Sequence, residues 1–347
     1  MSNDSDLVSI CIPTFRRTTY VRQCLESCLY QAHENIEIIV HDDTDNDSIR
    51  FIVDSYNSPL ITYIQNKPAL GLTAKLNHFL ELARGEWCVI VCDDDALAPN
   101  FLTRVLAQTK AHPDATLVRA RYLLIDEGGR PLKPDRLTAQ VSTPTEFLRD
   151  IFLPDSKNFK LNLSGILFRP AQLRALGGFR ELYRGYHMDR LAWIQLGAQG
   201  KVVCEPTPLC KLRLHAGSLS ADAAADYKQA LASDNLMRGI VRETLERARA
   251  EYTEPADQAN LAAAEKNFAA FWDRFVRRSF DKGYLGALST RDKSAFEQFV
   301  ELRTLMRGLG VRPFRSYYLY RALERAPFFV RAAFARLIRY YKTLHLH

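Results

Sequence analysis

Two kinds of apolar pattern alternate through the first 125 residues, and this constrains the fold more than any other feature. Short, largely apolar runs stand at LVSICIP (7–13), IEIIV (36–40), LITYIQN (60–66), WCVIVC (87–92) and TLVRARYLLI (116–125). Between them lie stretches with helical spacing. TTYVRQCLESCLYQ (18–31) sets Val21, Leu25, Cys28 and Leu29 on one face, and SIRFIVDSY (48–56) is similar. LTAKLNHFLELAR (72–84) turns Leu76, Phe79, Leu80 and Ala83 inward and closes at Gly85, and FLTRVLAQTKAH (101–112) follows. Strands covered on both faces need no polar alternation, and strands alternating with helices of about 10–15 residues build βαβ units. The expectation is an α/β fold, a mostly parallel sheet flanked by helices.

Residues 126–162 read as irregular, with Gly128, Gly129, Pro131, Pro134 and Pro144. SGILFRPAQLRALGGF (164–179) reads as a strand and then a helix ended by Gly177-Gly178. The helix HMDRLAWIQLGAQG and the strand KVVCEPTPLCKLRLH come next, and from Ala221 only helical periodicity remains. This places a boundary near 221, between a body (1–220) and a helical C-terminal region (221–347). Trp87 and Trp193 read as core.

Charge is divided in the same way. The chain of 347 residues carries a net charge of +7, yet residues 1–220 balance 25 basic against 25 acidic side chains. From Gly308 onward there are 8 basic residues and one acid, Glu324, so the tail holds the surplus. In RAPFFVRAAFARLIRYYKTLHLH, Phe328, Phe329, Leu337 and Tyr340 interleave with Arg331, Arg336, Arg339 and Lys342. A basic amphipathic helix with aromatics suits an anionic membrane surface. Residues 311–347 are therefore expected to touch a membrane face, the plain alternative being a helix packed on the body. No nucleic-acid motif accompanies the tail, so nucleic acid is not expected as a partner. The start MSNDSDLVS lacks the features of a secretory signal, and no run of about 18 apolar residues occurs. The seven cysteines sit mostly in apolar patterns, Cys24 and Cys28 read as core, and a reduced, cytoplasmic protein is expected, peripheral on a membrane at most.

In such sheets ligands collect at the carboxyl ends of the strands. The loops there are PTFRR, HDDTD, NKPALG and DDDALAP, two of them dense in carboxylate. No GxGxxG follows the first strand and no GxxxxGK[ST] occurs, which disfavours a standard dinucleotide site or a P-loop. The triplet Asp93, Asp94, Asp95 has a plain reading as a helix N-cap. One acid would serve for that. Three at the end of a buried strand fit a divalent ion held beside a diphosphate, since Mg²⁺ takes one or two carboxylates and fills its remaining positions with phosphate oxygens and water.

LVSICIPTFRR, EIIVHDDTDNDS, NKPALGLTAKLNHFLELARGEW and CVIVCDDDALAPNFL resemble, in order and spacing, signature blocks of family 2 glycosyltransferases. LGGFRE (176–181), HMDRLAWIQLGAQGKVVCEP (187–206) and LRLHAGSLS (212–220) continue the resemblance. It implies a GT-A fold over residues 1–220, Rossmann-like, followed by the α-helical region. It implies that Pro13, Phe15 and Arg17 supply the wall and phosphate contact of a nucleotide pocket, with Lys75 as a further phosphate contact. Asp43 would read a base edge, most naturally the imide of uracil or thymine. Asp93 would reach the ribose or the metal, and it would take over the ribose contact because Cys92 stands where the family's DxDD form has an acid. Asp94 would bind Mg²⁺ or Mn²⁺ with Asp95 beside it, His215 would complete the coordination or bind the diphosphate, and Asn77 fits the helix block.

Asp189 falls where the family has its catalytic base, with His187 as pocket wall. An acceptor hydroxyl attacks poorly unless a carboxylate takes its proton. The implied activity is inverting transfer of a sugar from a nucleotide-diphospho-sugar, UDP-linked before dTDP-linked, to a glycan or lipid-linked acceptor in bacterial surface polysaccharide or lipid-linked glycan assembly. The competing readings are a metal-dependent nucleotidyltransferase, disfavoured by the lack of glycine in PTFRR, and a non-catalytic relative of the same fold.

Overall fold

The computed structural model describes residues 7–134, 140–153, 161–182, 185, 187–215 and 227–288. The tail 311–347 and residues 216–220 of the last block lie outside the described residues. The chain divides into two compact units, Met1–Ala221 with Met237–Asn267, and Asp222–Leu236 with Phe268–His347. In the second unit, Phe268 and Trp272 are buried with their rings 6.4 Å apart.

The first unit is built on one sheet. Its strands begin with β1 (Val8–Thr14), β2 (Ile36–Asp42), β3 (Ile61–Gln65) and β4 (Trp87–Ile90). The helices between them are α1 (Thr18–Leu29), α2 (Ser48–Asp54) and α3 (Leu72–Leu82). After β4 come β5 (Ala96–Leu97), α4 (Phe101–Ala111), β6 (Ala115–Ile125), β7 (Pro131–Pro134), β8 (Gln140–Ser142) and α5 (Pro144–Ile151). Then follow β9 (Ile166–Phe168), α6 (Pro170–Ala175), α7 (Met188–Gly197) and β10 (Lys201–Arg213). Two long helices, α8 (Tyr227–Glu251) and α9 (Pro255–Leu288), complete the described chain.

The strand order is β3-β2-β1-β4-β9-β6-β10-β5, with β7 on β6 and β8 on β10. β3, β2, β1 and β4 are mutually parallel, and β6 pairs with β10 in parallel. The short β9 runs antiparallel between β4 and β6. β1 and β2 are buried along their whole length, which is why they carry no polar alternation. One face of the sheet packs on Val21, Cys24, Leu25 and Cys28 of α1, Ile49 and Val53 of α2, and Phe101, Leu102 and Val105 of α4. On the other face α3 lies against β1 and β2, and α7 against β6. There Phe168, Phe179 and Trp193 form a ring cluster with centroids 5.1–6.5 Å apart. Trp87, like Trp193, is buried.

Within 126–162 the described residues hold β7, β8 and α5. Pro144 is the first residue of α5 rather than a breaker: Thr143 and Glu146 form a reciprocal capping box around it. Segment 237–267 packs on this body. Asp257 accepts from Thr145 at 2.5 Å, Arg149 donates to Asn260 at 2.9 Å, and Asn267 donates to the Arg149 carbonyl at 2.8 Å. Among the described residues no helix is long and apolar enough to cross a membrane.

Candidate active site

β1 has β2 on one side and β4 on the other, so the strand order reverses there and opens a crevice at the strands' carboxyl ends. Two constellations occupy it.

The first is built around the carboxylate triplet. β4 gives up its ladder at Cys92, whose amide donates to Ser164 Oγ at 2.9 Å, and Asp95 N–H closes a turn onto the Cys92 carbonyl. β5 then pairs antiparallel with Cys210–Lys211 of β10, which carries Arg213 and His215 over the triplet. Arg213 N–H reaches Asp95 Oδ1 at 3.0 Å, and Ser164 Oγ donates to Asp95 Oδ2 at 2.5 Å. The Arg213 guanidinium donates to the Asp94 carbonyl, to the carbonyls of Asp126 and Glu127, and to Gln23 Oε1. It also lies 4.4 Å from the centre of the Tyr20 ring. Arg213 therefore ties α1, the triplet and the β6–β7 turn together.

Asp93, Asp94 and Asp95 are all buried, so their charges need cations. Arg17 supplies one: its Nη1 lies 2.8 Å from Asp94 Oδ2 and 3.2 Å from Asp93 Oδ1. His215 Nε2 donates to the same Asp94 oxygen at 2.8 Å. Phe15 N–H points at Asp93 Oδ2 at 3.4 Å, while its ring is about half exposed at the mouth. Burial pushes Asp93 up to about 6, with Arg17 pulling against the shift and Asp94 adding to it. Burial pushes Asp95 up to about 7, reinforced by Asp94 and opposed by Ser164 and the Arg213 amide. Ligand atoms of Cys92, Asp94 and Asp95 lie within 4.8 Å of one another. Clustered carboxylate oxygens of this kind fit a hard divalent ion.

The second constellation centres on Asp43. Its Oδ1 accepts from Asn66 Nδ2 at 2.9 Å and Leu70 N–H at 3.1 Å, and its Oδ2 from Gly71 N–H at 2.9 Å. The buried Lys75 ammonium stands 3.2 Å from Oδ2 and donates to the Thr14 carbonyl at 2.8 Å. Asp43 thus pins the loop 66–71 to the end of β2, while Lys75 ties α3 to the end of β1. Burial alone would raise the Asp43 carboxyl; Asn66, Lys75 and the two loop amides outweigh it and hold the pKa below the ordinary range. Beside it, Asn66 donates to His41 Nδ1 and His41 Nε2 faces His78 Nδ1, both at 2.9 Å. Burial, then His78 and Lys75, push His41 down to about 4, so it is neutral at neutral pH.

The crevice brings together most of the residues expected from the sequence. Arg17, Asp93, Asp94 and His215 are in direct contact, with Asp95 alongside. Asp43 and Lys75 pair with each other and reach the first group through Thr14 and Phe15. Pro13 is buried within β1, paired in register with His41. Asp189 stands on a separate element, the first turn of α7, directly after His187 in the left-handed region (φ 62°). That turn is anchored to α3 through Thr73 Oγ1 and Met188 Sδ at 3.3 Å. Burial raises the Asp189 carboxyl, opposed by the Arg190 amide 2.7 Å away and the Arg190 charge. Burial, then Arg190, push His187 down to about 4. Asn77 holds Phe179 through both backbone groups, at 2.8 and 2.9 Å. Sequence reasoning passed over Arg213, Ser164, Gln23, Tyr20 and Asn66. Arg213 had one available signal: it stands two residues before His215 on an extended segment and so shares its face.

Residues 9–169 match the family model described as glycosyl transferase family 2. Over this segment, somewhat less than half of the chain, the sequence is similar to that family, and relatives named glycosyltransferases support the same class of enzyme. An uncharacterized protein of Mycobacterium tuberculosis (strain CDC 1551 / Oshkosh) is 25% identical over 252 residues, 69% of this chain and 77% of its own length. Glycosyltransferase GlyG of Streptococcus pneumoniae serotype 4 is 31% identical over 127 residues, 35% of this chain and 41% of its own. An uncharacterized glycosyltransferase of Rickettsia typhi (strain ATCC VR-144 / Wilmington) is 31% identical over 215 residues, 61% of this chain and 65% of its own. The chain thus spans less than two thirds of either of these two glycosyltransferases. Among solved structures, S. aureus TarS 1-349 in complex with UDP-GlcNAc has a TM-score of 0.56 at 16% identity, covering 87% of this chain and 91% of that one. That likeness is one of fold.

Proposed function

We propose that this chain transfers a sugar from a nucleotide-diphospho-sugar to an acceptor hydroxyl with inversion, with Mg²⁺ or Mn²⁺ as cofactor. The observation that carries the reading is the contact of Arg17 and His215 with the buried Asp93 and Asp94 at the β1–β4 switch point. Asp94, Asp95 and His215 would hold the ion, with the Cys92 thiol beside them. When bound, a divalent ion stabilises charge on the leaving diphosphate.

The chain's own residues supply the rest. Pro13 and Phe15 wall the base, Arg17 and Lys75 serve the phosphates, and Asp93 serves the ribose. Asp43 reads the base edge; four donors already hold its oxygens, so one of them gives way when the base arrives. A uridine donor is favoured over a thymidine one, in keeping with the UDP-GlcNAc bound by TarS. Asp189 accepts the acceptor's proton, a task its burial-raised pKa suits.

On this reading residues 1–220 form the catalytic domain, and 221–347 carry the basic segment that meets the cytoplasmic face of a membrane. The acceptor is then a glycan or lipid-linked glycan of bacterial surface polysaccharide assembly.

Melting curves with UDP, dTDP, GDP and the corresponding triphosphates, each with and without Mn²⁺, test the proposal. UDP with Mn²⁺ should raise the melting temperature most. A ligand at 100 times its Kd adds about 2.7 kcal/mol. Stabilisation by nucleoside triphosphates alone would favour nucleotidyl transfer. No response to any nucleotide would favour a non-catalytic protein.

A further inference from the structure

Arg17 and His215 share one oxygen of Asp94. Asp94 Oδ2 receives Arg17 Nη1 and His215 Nε2, each at 2.8 Å. A carboxylate oxygen offers about two lone-pair positions, and on this oxygen both are in use. A metal bound through it takes one of them. His215 can stay by turning from donor to ligand, since a neutral imidazole nitrogen coordinates metals. Arg17 cannot, because a guanidinium keeps its protons and has no lone pair to offer.

We infer that Arg17 is an exchangeable counter-ion, neutralising Asp93 and Asp94 before metal enters and passing to the donor's diphosphate once it has. This deepens the proposed function and rests on its metal and nucleotide reading. Three observations fit a mobile arginine. Its side chain is 25% exposed while those of Asp93 and Asp94 are 6% and 11% exposed, so it lies on the solvent side of the acids. It directly precedes α1 on extended backbone (φ −111°, ψ 98°) and makes no side-chain cap bond, so the helix does not depend on it. The other arginine at the triplet, Arg213, is buried and held by the carbonyls of Asp126 and Glu127, so it cannot follow a ligand. A planar guanidinium matches two phosphate oxygens as well as it matches two carboxylates. The exchange replaces one cation by another at the acids, leaving the pocket's charge nearly balanced at each stage.

Mn²⁺ titration by electron paramagnetic resonance and UDP titration by calorimetry test the exchange on wild type, Arg17→Gln, Arg17→Lys and Arg247→Gln. Arg247 pairs with Glu243 on the exposed face of α8 and serves as the control. Without nucleotide, Arg17→Gln should bind Mn²⁺ about tenfold more tightly, the size of one charge-assisted contact no longer competing. With Mn²⁺ saturating, the same variant should bind UDP about tenfold more weakly. Arg17→Lys should fall between wild type and Arg17→Gln in both measurements, and Arg247→Gln should match wild type. Wild type binding both ligands while Arg17→Gln weakens both, or changes neither, would overturn the exchange and leave the proposed function standing. Wild type binding neither ligand would overturn both.

Discussion

Replacing Asp43 by Asn should cost more stability than replacing its partner Lys75 by Met, although Asn is the closer isostere. Lys75→Met removes the contact to Asp43 and one of the two donors to the Thr14 carbonyl, the Asp43 N–H at 3.1 Å remaining. Asp43 itself keeps three donors, from Asn66, Leu70 and Gly71. Two charge-assisted contacts, partly offset by an apolar stem of similar length, come to about 3 kcal/mol. In Asp43→Asn an NH₂ group takes the place of one oxygen. Whichever way the amide turns, it faces two N–H donors, and the buried Lys75 charge loses its counter-ion. Stranding a buried charge costs about 3–5 kcal/mol, so the total is about 4–5 kcal/mol. At roughly 2–4 °C per kcal/mol for a large domain, Asp43→Asn should lower the melting temperature by about 10 °C or more at pH 7. The wild-type carboxyl titrates below its usual 3.8, so its contribution is full above about pH 4 and is lost as pH falls below that. The gap between wild type and Asp43→Asn should therefore narrow in melts at about pH 3. Urea and thermal unfolding of both variants supply the check. Wild-type stability in Asp43→Asn, or a larger loss in Lys75→Met, would refute the view that Asp43 pins the 66–71 loop.

Asp189→Asn should abolish sugar transfer in a radiolabelled donor assay while leaving UDP affinity within about twofold of wild type, and retained transfer would remove Asp189 from the base role. Asp93 and Asp95 titrate near 6 and 7 in the fold against 3.8 when unfolded, so the native state holds more protons between about pH 4 and 7. Metal-free stability should therefore fall as pH rises through that window, and melts at pH 5 and 8 should differ less once saturating Mn²⁺ is present. Gly165 has φ +78°, and a Cβ there would sit 2.8 Å from Cys210 Sγ and 2.9 Å from Cys210 Cβ. Gly165→Ala should destabilise by about 2–4 kcal/mol in urea. Gly239→Ala, in α8 with nothing within 4 Å of the added carbon, should stabilise by about 0.5–1 kcal/mol.

The sequence pattern located β1 to β4 and their helices to within about two residues, most plainly β1, β2 and β4, which are buried along their whole length. β4 ended earlier than its apolar run because the Cys92 amide turns to Ser164, a partner 72 residues away. α5 was missed because Pro144 was weighed as a breaker, although Thr143 and Glu146 spell out the cap around it. The acids of the site could be read from their crowding at strand ends. Their partners could not: Arg17 meets Asp94 across 77 residues and Lys75 meets Asp43 through a helical crossover, pairings that only the strand order creates. Arg213 was missed for another reason. Its spacing to His215 gives its face, but most of its partners are backbone carbonyls, which that spacing does not report.

The central claim is that the Asp94 cluster holds a divalent ion against a donor diphosphate. Anomalous diffraction at the manganese edge from crystals grown with Mn²⁺ and UDP tests it directly. The account predicts one manganese peak within coordination distance of an Asp94 carboxylate oxygen and a UDP phosphate oxygen, with the Arg17 guanidinium moved from Asp94 to the diphosphate. Manganese bound elsewhere, or UDP bound with Asp94 still held by Arg17 and no metal between them, would contradict it.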